Sequence, residues 1–240
     1  MTIEEFFPAR FCLNLDRRPD RKLRAWEQFR REGLAVERLP APDAAEMGIT
    51  ETRGYEKIGP RACAAAHRLA WREARKQRAG AVLVFEDDVV LAQEFREKLE
   101  AWLRVVPGDW AMLYLGGVFR DPPELIAPGL LRVRGHTWDM HAYAVRAEVF
   151  SMLHRVVAPL SFRRERGRPA PSAQQKPHEA LDTIIPHLHG TMPVYAPWPP
   201  LAWQPQGLSN TEIAKRGNYR KDGQQALMRY AVEHLPGAAK

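Results

Sequence analysis

What this chain has little of narrows its class first. Only two of its 240 residues are cysteine, Cys12 and Cys63, too few for a disulfide framework or a four-cysteine zinc site. Each stands in an apolar run, so both are expected to be buried thiols acting as small hydrophobes. No strictly apolar run is longer than Ala81–Phe85, whereas a bilayer-spanning helix needs about 20 apolar residues. The opening Met-Thr-Ile-Glu-Glu carries acids where a signal peptide has bases, and no apolar block follows. A soluble, cytosolic protein is therefore expected. Glycine (16) and proline (20) are enough for punctuation but too few for a low-complexity chain. Acids are the scarcer charge: 36 Lys+Arg against 29 Asp+Glu leaves +7. That excess favours an anionic partner such as a nucleotide, nucleic acid, phosphorylated glycan or membrane surface.

What is present makes a core. With 45% hydrophobic residues, the chain can bury one large domain, expected over residues 1–210, with a C-terminal extension over 211–240 packed on it. The order of elements alternates. A strand over Arg10–Leu15 precedes a helix from Pro19 to Glu32, capped by Asp16 or a neighbour, ended by Gly33, and facing inward through Leu23, Trp26 and Phe29. Val36–Leu39 reads as a strand and 40–58 as a loop. A helix over 61–78 carries Ala62, Cys63, Ala66, Leu69, Ala70 and Ala74 on one stripe, with Gly80 closing it. Ala81–Phe85 is the clearest strand. Phe95, Leu99, Trp102, Leu103 and Val106 mark the next helix, and Trp110–Leu115 the next strand. This β-α-β order implies an α/β fold, a mostly parallel sheet flanked by helices. The second half is less regular: strands at Leu130–Val133, Ala142–Val145 and Pro193–Ala196, and helices at Ala147–Val157, Glu179–Leu188 and Gln224–His234. A basic loop over 161–177 carries Arg163, Arg164, Arg166 and Arg168.

The strongest chemical signal is Glu86-Asp87-Asp88 directly after the clearest strand. In open α/β sheets ligands bind beyond the carboxyl ends of strands. Alternation along an extended chain would send Glu86 and Asp88 one way and Asp87 the other. Converging carboxylates need a cation or a proton between them, and hard oxygen donors suit Mn²⁺ or Mg²⁺ arriving with substrate phosphates. The plainer alternative is that Asp87 or Asp88 caps the following helix. A second signal is Asn14-Leu-Asp-Arg-Arg-Pro-Asp-Arg21: a helix start beside Arg17, Arg18 and Arg21 is an anion site, or else an ordinary solvated face. His67 reads as a core or wall histidine and His141 as a pocket residue. His178, His187 or His189 could complete a metal shell. Trp198 and Trp203 could stack on a sugar or base, although core packing is the commoner fate.

Read together, these segments resemble glycosyltransferase family 25, which includes bacterial lipopolysaccharide glycosyltransferases and collagen β-galactosyltransferases. Leu13-Asn-Leu-Asp-Arg-Arg-Pro-Asp-Arg21 is similar to the family's opening motif. Gly59-Pro-Arg-Ala-Cys-Ala-Ala-Ala-His67 is similar to its Gly-Glu-Ile-Gly-Cys-x-x-Ser-His motif, with Pro60, Arg61, Ala62 and Ala66 as departures. Glu86-Asp87-Asp88 resembles its Glu-Asp-Asp signature. Weaker echoes are Leu115-Gly116-Gly117, His141-Ala-Tyr143, Asp182, and Pro200 to Ser209 with Gln204. The resemblance implies a GT-A type, Rossmann-like fold, a UDP-hexose donor carrying galactose or glucose, Mn²⁺ or Mg²⁺, and inversion at the anomeric carbon. The acceptor it implies is an anionic glycan hydroxyl, as in lipopolysaccharide.

On that reading Glu86, Asp87 and Asp88 hold the metal. Asn14, Leu15, Arg17, Arg18, Arg21, His67, Gly116, Gly117, His141 and Gln204 bind the nucleotide sugar. Asp182 is the general base (its alternative is a surface acid), and Arg163, Arg164 and Trp203 meet the acceptor. A basic patch would hold the protein at an anionic inner-membrane face. Two rival functions remain open: glucosylation of hydroxymethylated DNA bases, and a GT-A-like module that binds nucleotide or glycan without turnover.

Overall fold

The computed structural model describes residues 1–43, 58–161 and 180–204. The C-terminal extension, the helix at Gln224–His234, nearly all of the basic loop with Arg163 and Arg164, and His178 lie outside the described residues. In chain order the elements are α1 (Ile3–Phe6), β1 (Ala9–Asn14), α2 (Pro19–Arg31), β2 (Glu37–Pro40), α3 (Ile58–Lys76), β3 (Ala81–Glu86), β4 (Val90–Leu91) and α4 (Phe95–Leu103). Then come β5 (Met112–Tyr114), β6 (Val118–Phe119), β7 (Glu124–Ala127), β8 (Leu130–Arg132), β9 (Thr137–Trp138), β10 (Ala142–Arg146) and α5 (Ala147–Ser161). The described part ends with α6 (Leu181–Ile184), a 3-10 turn over Ile185–Leu188, β11 (Val194–Pro197) and β12 (Ala202–Trp203).

Eight strands form one sheet in the order β2-β1-β3-β10-β5-β11-β8-β7. β1 runs parallel to β2 and β3, and β5 parallel to β11, while β10 and β8 run against both of their neighbours. Six of the eight therefore point one way, the mostly parallel α/β sheet expected. Side-chain alternation splits the core in two. Phe11, Leu13, Val82 and Val84 pack with Trp71 of α3 and Phe150 of α5 on one face. Cys12, Leu83 and Phe85 pack with Phe29 of α2 and Phe95 of α4 on the other. Phe85 sits between the rings of Phe29 (centroids 5.1 Å apart) and Phe95 (6.2 Å). A strand buried on both faces reads as an unbroken apolar run, which is why β3 was so plain in the sequence.

Several local expectations need correction. The N-cap of α2 is Arg18, and its side chain makes no capping bond; Asp16 pairs instead with Arg38. Leu23 is exposed, and the inward face of α2 is Ala25 and Phe29. Six residues separate Leu23 from Phe29, about 600° of helical rotation, which leaves Leu23 about 120° off that face. The left-handed residue ending α3 is Arg78 (φ 56°), not Gly80. Gly33 (φ 62°) ends α2 as expected. The late helix is shorter than 179–188, because Pro186 turns its second half into 3-10 geometry. Among the described residues no helix is long and apolar enough to cross a membrane.

Candidate active site

The carboxyl end of β3 is where the two faces of the sheet meet the candidate chemistry. Parity along β3 sends Glu86 to the side of Val82 and Val84, toward α3, and Asp87 to the side of α2. The strand stops at Glu86, and Val89 N–H bonds back to the Glu86 carbonyl (3.2 Å) in a turn. Asp88 therefore does not follow Glu86. Both aspartates meet one nitrogen of Arg21 on α2, Asp87 Oδ1 at 3.0 Å and Asp88 Oδ2 at 3.0 Å. The expectation that Glu86 and Asp88 share a side fails because alternation ends where the strand ends. Neither aspartate caps α4, whose N-cap is Glu94.

Asp87 is fully engaged. Its Oδ2 accepts from Asn14 Nδ2 (2.7 Å), while Asn14 also donates to the Arg18 carbonyl (3.1 Å) and accepts from Arg38 Nε (2.9 Å). The opening motif thus braces the acidic turn through Asn14 and Arg21. Arg17 pairs with Asp43, and Arg18 with Asp20 (2.8 Å), so two of the three arginines meant for phosphate lean on other acids. Leu15 lies half-buried in the loop between β1 and α2.

Asp88 is differently placed. Gln204 Nε2 donates to its Oδ2 at 2.7 Å, while Oδ1 is buried without a hydrogen-bond partner. Burial first, then the Glu86 charge, push its carboxyl from 3.8 to about 6 against the pull of Arg21 and Gln204. A buried carboxylate oxygen with nothing to accept is the donor that a hard cation takes, so Asp88 fits a Mn²⁺- or Mg²⁺-type ion; Asp87, with both oxygens committed, does not.

Glu86 belongs to a different network. His67 on α3 is fully buried, with Nδ1 2.9 Å from the Tyr143 hydroxyl and Nε2 3.2 Å from Glu86 Oε1. Trp71 Nε1 donates to the same hydroxyl at 3.0 Å. The Tyr143 hydroxyl can therefore donate its hydrogen bond to Nδ1, leaving Nε2–H to donate to Glu86. Burial raises the Glu86 carboxyl, but the His67 hydrogen bond and the attraction of His67, His141 and Arg21 outweigh it and hold the carboxyl below its usual range. His67 serves as a wall residue behind Glu86, with both ring nitrogens occupied.

Asp182, in the first turn of α6, is raised from 3.8 to about 6, by burial and then by the charge of Asp139, and Glu86 adds to the repulsion. Cys63 of α3 feels the charges of Glu86, Asp182 and Asp88 together, and burial with those charges holds its thiol well above the ordinary range. All three acids thus bear electrostatically on the Cys63 thiol. Sequence reasoning missed Trp71, and placed Cys63 and Tyr143 in segments similar to the family's motifs without giving either a role at this site. The available signal was the i, i+4 spacing of Cys63 and His67, which stacks them on one helix face.

Close backbone approach explains the double glycine. A Cβ on Gly116 would lie 1.8 Å from the Ala202 carbonyl oxygen and 3.0 Å from His141 Nε2. Only a bare Cα lets the end of β5 sit against the β12 segment that delivers Trp203 and Gln204. Gly117 is crowded by Thr137 (3.0 Å) and the Trp138 carbonyl (3.1 Å). Trp203 is 41% exposed beside Gln204. His189 is a core residue: Nδ1 donates to the Gly135 carbonyl (2.8 Å), Nε2 accepts from Tyr114 (3.2 Å), and burial lowers it to about 4. His187 stacks edge-on with His136 at 5.3 Å.

Fold and site together define a mixed α/β protein with a buried carboxylate cluster at the carboxyl end of a central parallel strand. Residues 56–120 match the family described as Glycosyltransferase family 25 (LPS biosynthesis protein). The chain is 31% identical over 168 residues to the human inactive glycosyltransferase 25 family member 3, covering 58% of this chain and 27% of that protein. It is 27% identical over 126 residues to a glycosyltransferase 25 family member of Aedes aegypti, covering 44% of this chain and 20% of that one. The matched stretch spans about a quarter of the length of these curated relatives. Among solved structures, a glycosyltransferase involved in glycosylation of the major capsid of PBCV-1 aligns over 92% of this chain and 98% of its own. Its TM-score is 0.40 and its sequence identity 9%.

Proposed function

We propose that this chain is the catalytic part of an inverting glycosyltransferase that moves a hexose from a UDP-sugar to a hydroxyl of an anionic glycan such as lipopolysaccharide. The observation that carries this reading is Asp88: a buried carboxylate at the carboxyl end of β3, with Oδ1 unpartnered and Oδ2 held by Arg21 and Gln204. Asp88 is the residue that would hold a divalent ion, and such an ion supplies positive charge to the leaving diphosphate. Asn14 and Arg21 fix the acidic turn so that Asp88 meets a donor already oriented. Arg21 adds a fixed cation on the α2 side.

Asp182 takes the proton of the acceptor hydroxyl. A carboxyl raised to about 6 is mostly ionised at neutral pH yet basic enough to accept that proton. Exposed Trp203 offers an aromatic face to a sugar ring beside the donor site. The +7 net charge favours an anionic acceptor.

Calorimetric binding of UDP with and without Mn²⁺, to wild type and Asp88→Ala, tests the reading. Metal-dependent binding that is lost in the variant supports it, and equal, metal-independent binding in both overturns it. The word "inactive" in the description of the human relative favours a second reading, a donor-binding module without turnover. Tight binding with no hydrolysis of any nucleotide sugar in a panel would select that reading.

A further inference from the structure

Among the described residues, one group of three potential ligands brings its donor atoms together. Cys63 Sγ, a His67 ring nitrogen and a Glu86 carboxylate oxygen all lie within 4.8 Å of one another. The acidic triplet itself does not converge in this way. We propose that Cys63, His67 and Glu86 form a three-ligand site for a thiophilic divalent cation of the Zn²⁺ type, at the junction of α3 with the end of β3.

The geometry comes from the elements. Cys63 and His67 are one helical turn apart on the face of α3 that packs on the sheet, and Glu86 is the last residue of β3 beneath them. His67 Nε2 and Glu86 Oε1 are 3.2 Å apart. Two ligands bonded at about 2.0–2.1 Å in a tetrahedron are separated by about 3.3 Å. That pair already has the spacing of a coordination edge, and the Cys63 sulfur lies within 4.8 Å of both.

The orienting shell is also in place. Metal-bound imidazoles are aimed by a hydrogen bond at the other ring nitrogen. Here the Tyr143 hydroxyl holds Nδ1 at 2.9 Å and is itself held by Trp71 at 3.0 Å. When Nε2 takes the cation, the ring proton moves to Nδ1 and is donated to the Tyr143 oxygen, which has lone pairs for both N–H groups. His67 is fully buried whereas Cys63 and Glu86 are half-buried, which leaves one side open for a fourth, exchangeable ligand.

Electrostatics points the same way. The charges of Glu86, Asp182 and Asp88 all act against ionisation of the Cys63 thiol. A cation relieves that repulsion, and binding expels the thiol proton to solvent. A sulfur–nitrogen–oxygen donor set selects Zn²⁺ or Co²⁺ over Mn²⁺ and Mg²⁺, which prefer oxygen alone. The site is thus chemically distinct from Asp88, whose donor is a single carboxylate.

Cobalt titration of the metal-free protein provides the test. One equivalent of Co²⁺ should produce tetrahedral d–d absorption and a near-ultraviolet thiolate-to-cobalt charge-transfer band. The band should vanish in Cys63→Ser, where Cys12 is the one remaining thiol, and persist in Asp88→Asn. Zn²⁺ should bleach it by displacement. Tyr143→Phe, which keeps the ring and removes only the hydroxyl, should weaken Co²⁺ binding roughly 10–100-fold. Circular dichroism identifies any variant that fails to fold. Absence of a charge-transfer band in folded wild type, its survival in Cys63→Ser, or its loss in folded Asp88→Asn would each overturn the assignment.

Discussion

Asp88→Asn is the perturbation whose outcome can be worked out most fully. The substitution keeps the side-chain shape and one oxygen for Gln204 or Arg21, while Arg21 retains Asp87 at 3.0 Å. What it removes is a charge held under burial, next to Glu86, in a side chain only 13% exposed. A carboxyl raised from 3.8 to about 6 on folding binds protons more tightly in the native state. Native stability therefore falls as pH rises through that window, and the cost is fully present above about pH 6. At 1.36 kcal/mol per pH unit, ionising Asp88 costs the fold about 1 kcal/mol at pH 4.5 and about 3 kcal/mol at pH 7.5. In chelator, urea unfolding should find Asp88→Asn more stable than wild type at pH 7.5. That advantage should shrink by about 2 kcal/mol at pH 4.5. Adding Mn²⁺ at pH 7.5 should raise wild type toward the variant and leave the variant unmoved. A stability gap that stays flat or widens toward acid would refute the account of Asp88 as a carboxylate whose burial outweighs its pairing with Arg21 and Gln204.

Further outcomes follow from the same geometry. Asp182→Asn should lower kcat by roughly 10²–10⁴ with little change in donor KM. It should also abolish an acid limb near pH 6, the pH at which Asp182 titrates, in the pH–rate profile of the wild type. Gly116→Ala places a Cβ 1.8 Å from the Ala202 carbonyl and should cost about 3 kcal/mol or more in thermal unfolding. Gly80→Ala, with nothing within 4 Å of the new methyl, should stay within about 1 kcal/mol of wild type. Asn14→Ala removes one donor from buried Asp87 and should cost about 3 kcal/mol by denaturant unfolding. Trp203→Ala, at a residue 41% exposed, should leave the unfolding midpoint nearly unchanged while raising the acceptor KM.

Much of the fold could be read from residue order alone. β1, α2, β3, α4 and α5 lie within a few residues of where their periodicity puts them, because each buries a continuous face or run against the sheet. The short strands β4, β6, β9 and β12 carry two residues each and no period; they exist because neighbouring chain lies beside them. Leu23 shows the limit of reading apolar residues without their angular position. Gln204 shows the opposite case: a weak sequence echo that proves to touch Asp88.

Local covalent order determined that an acidic turn would end the most apolar strand, that a basic segment would follow β1, and that Cys63 and His67 would share a helix face. These are consequences of strand alternation and helical rise, which act over a few residues. The partners of those side chains were settled by packing. Strand order sets β1 beside β3, so Asn14 reaches Asp87. The α2 crossover brings Arg21 to both aspartates. β10 lays Tyr143 under His67, and the return of the chain at β12 carries Gln204 to Asp88. Such contacts join residues 66 to 116 positions apart. No local pattern encodes them, because their partners meet only once the two hydrophobic faces of the sheet are covered.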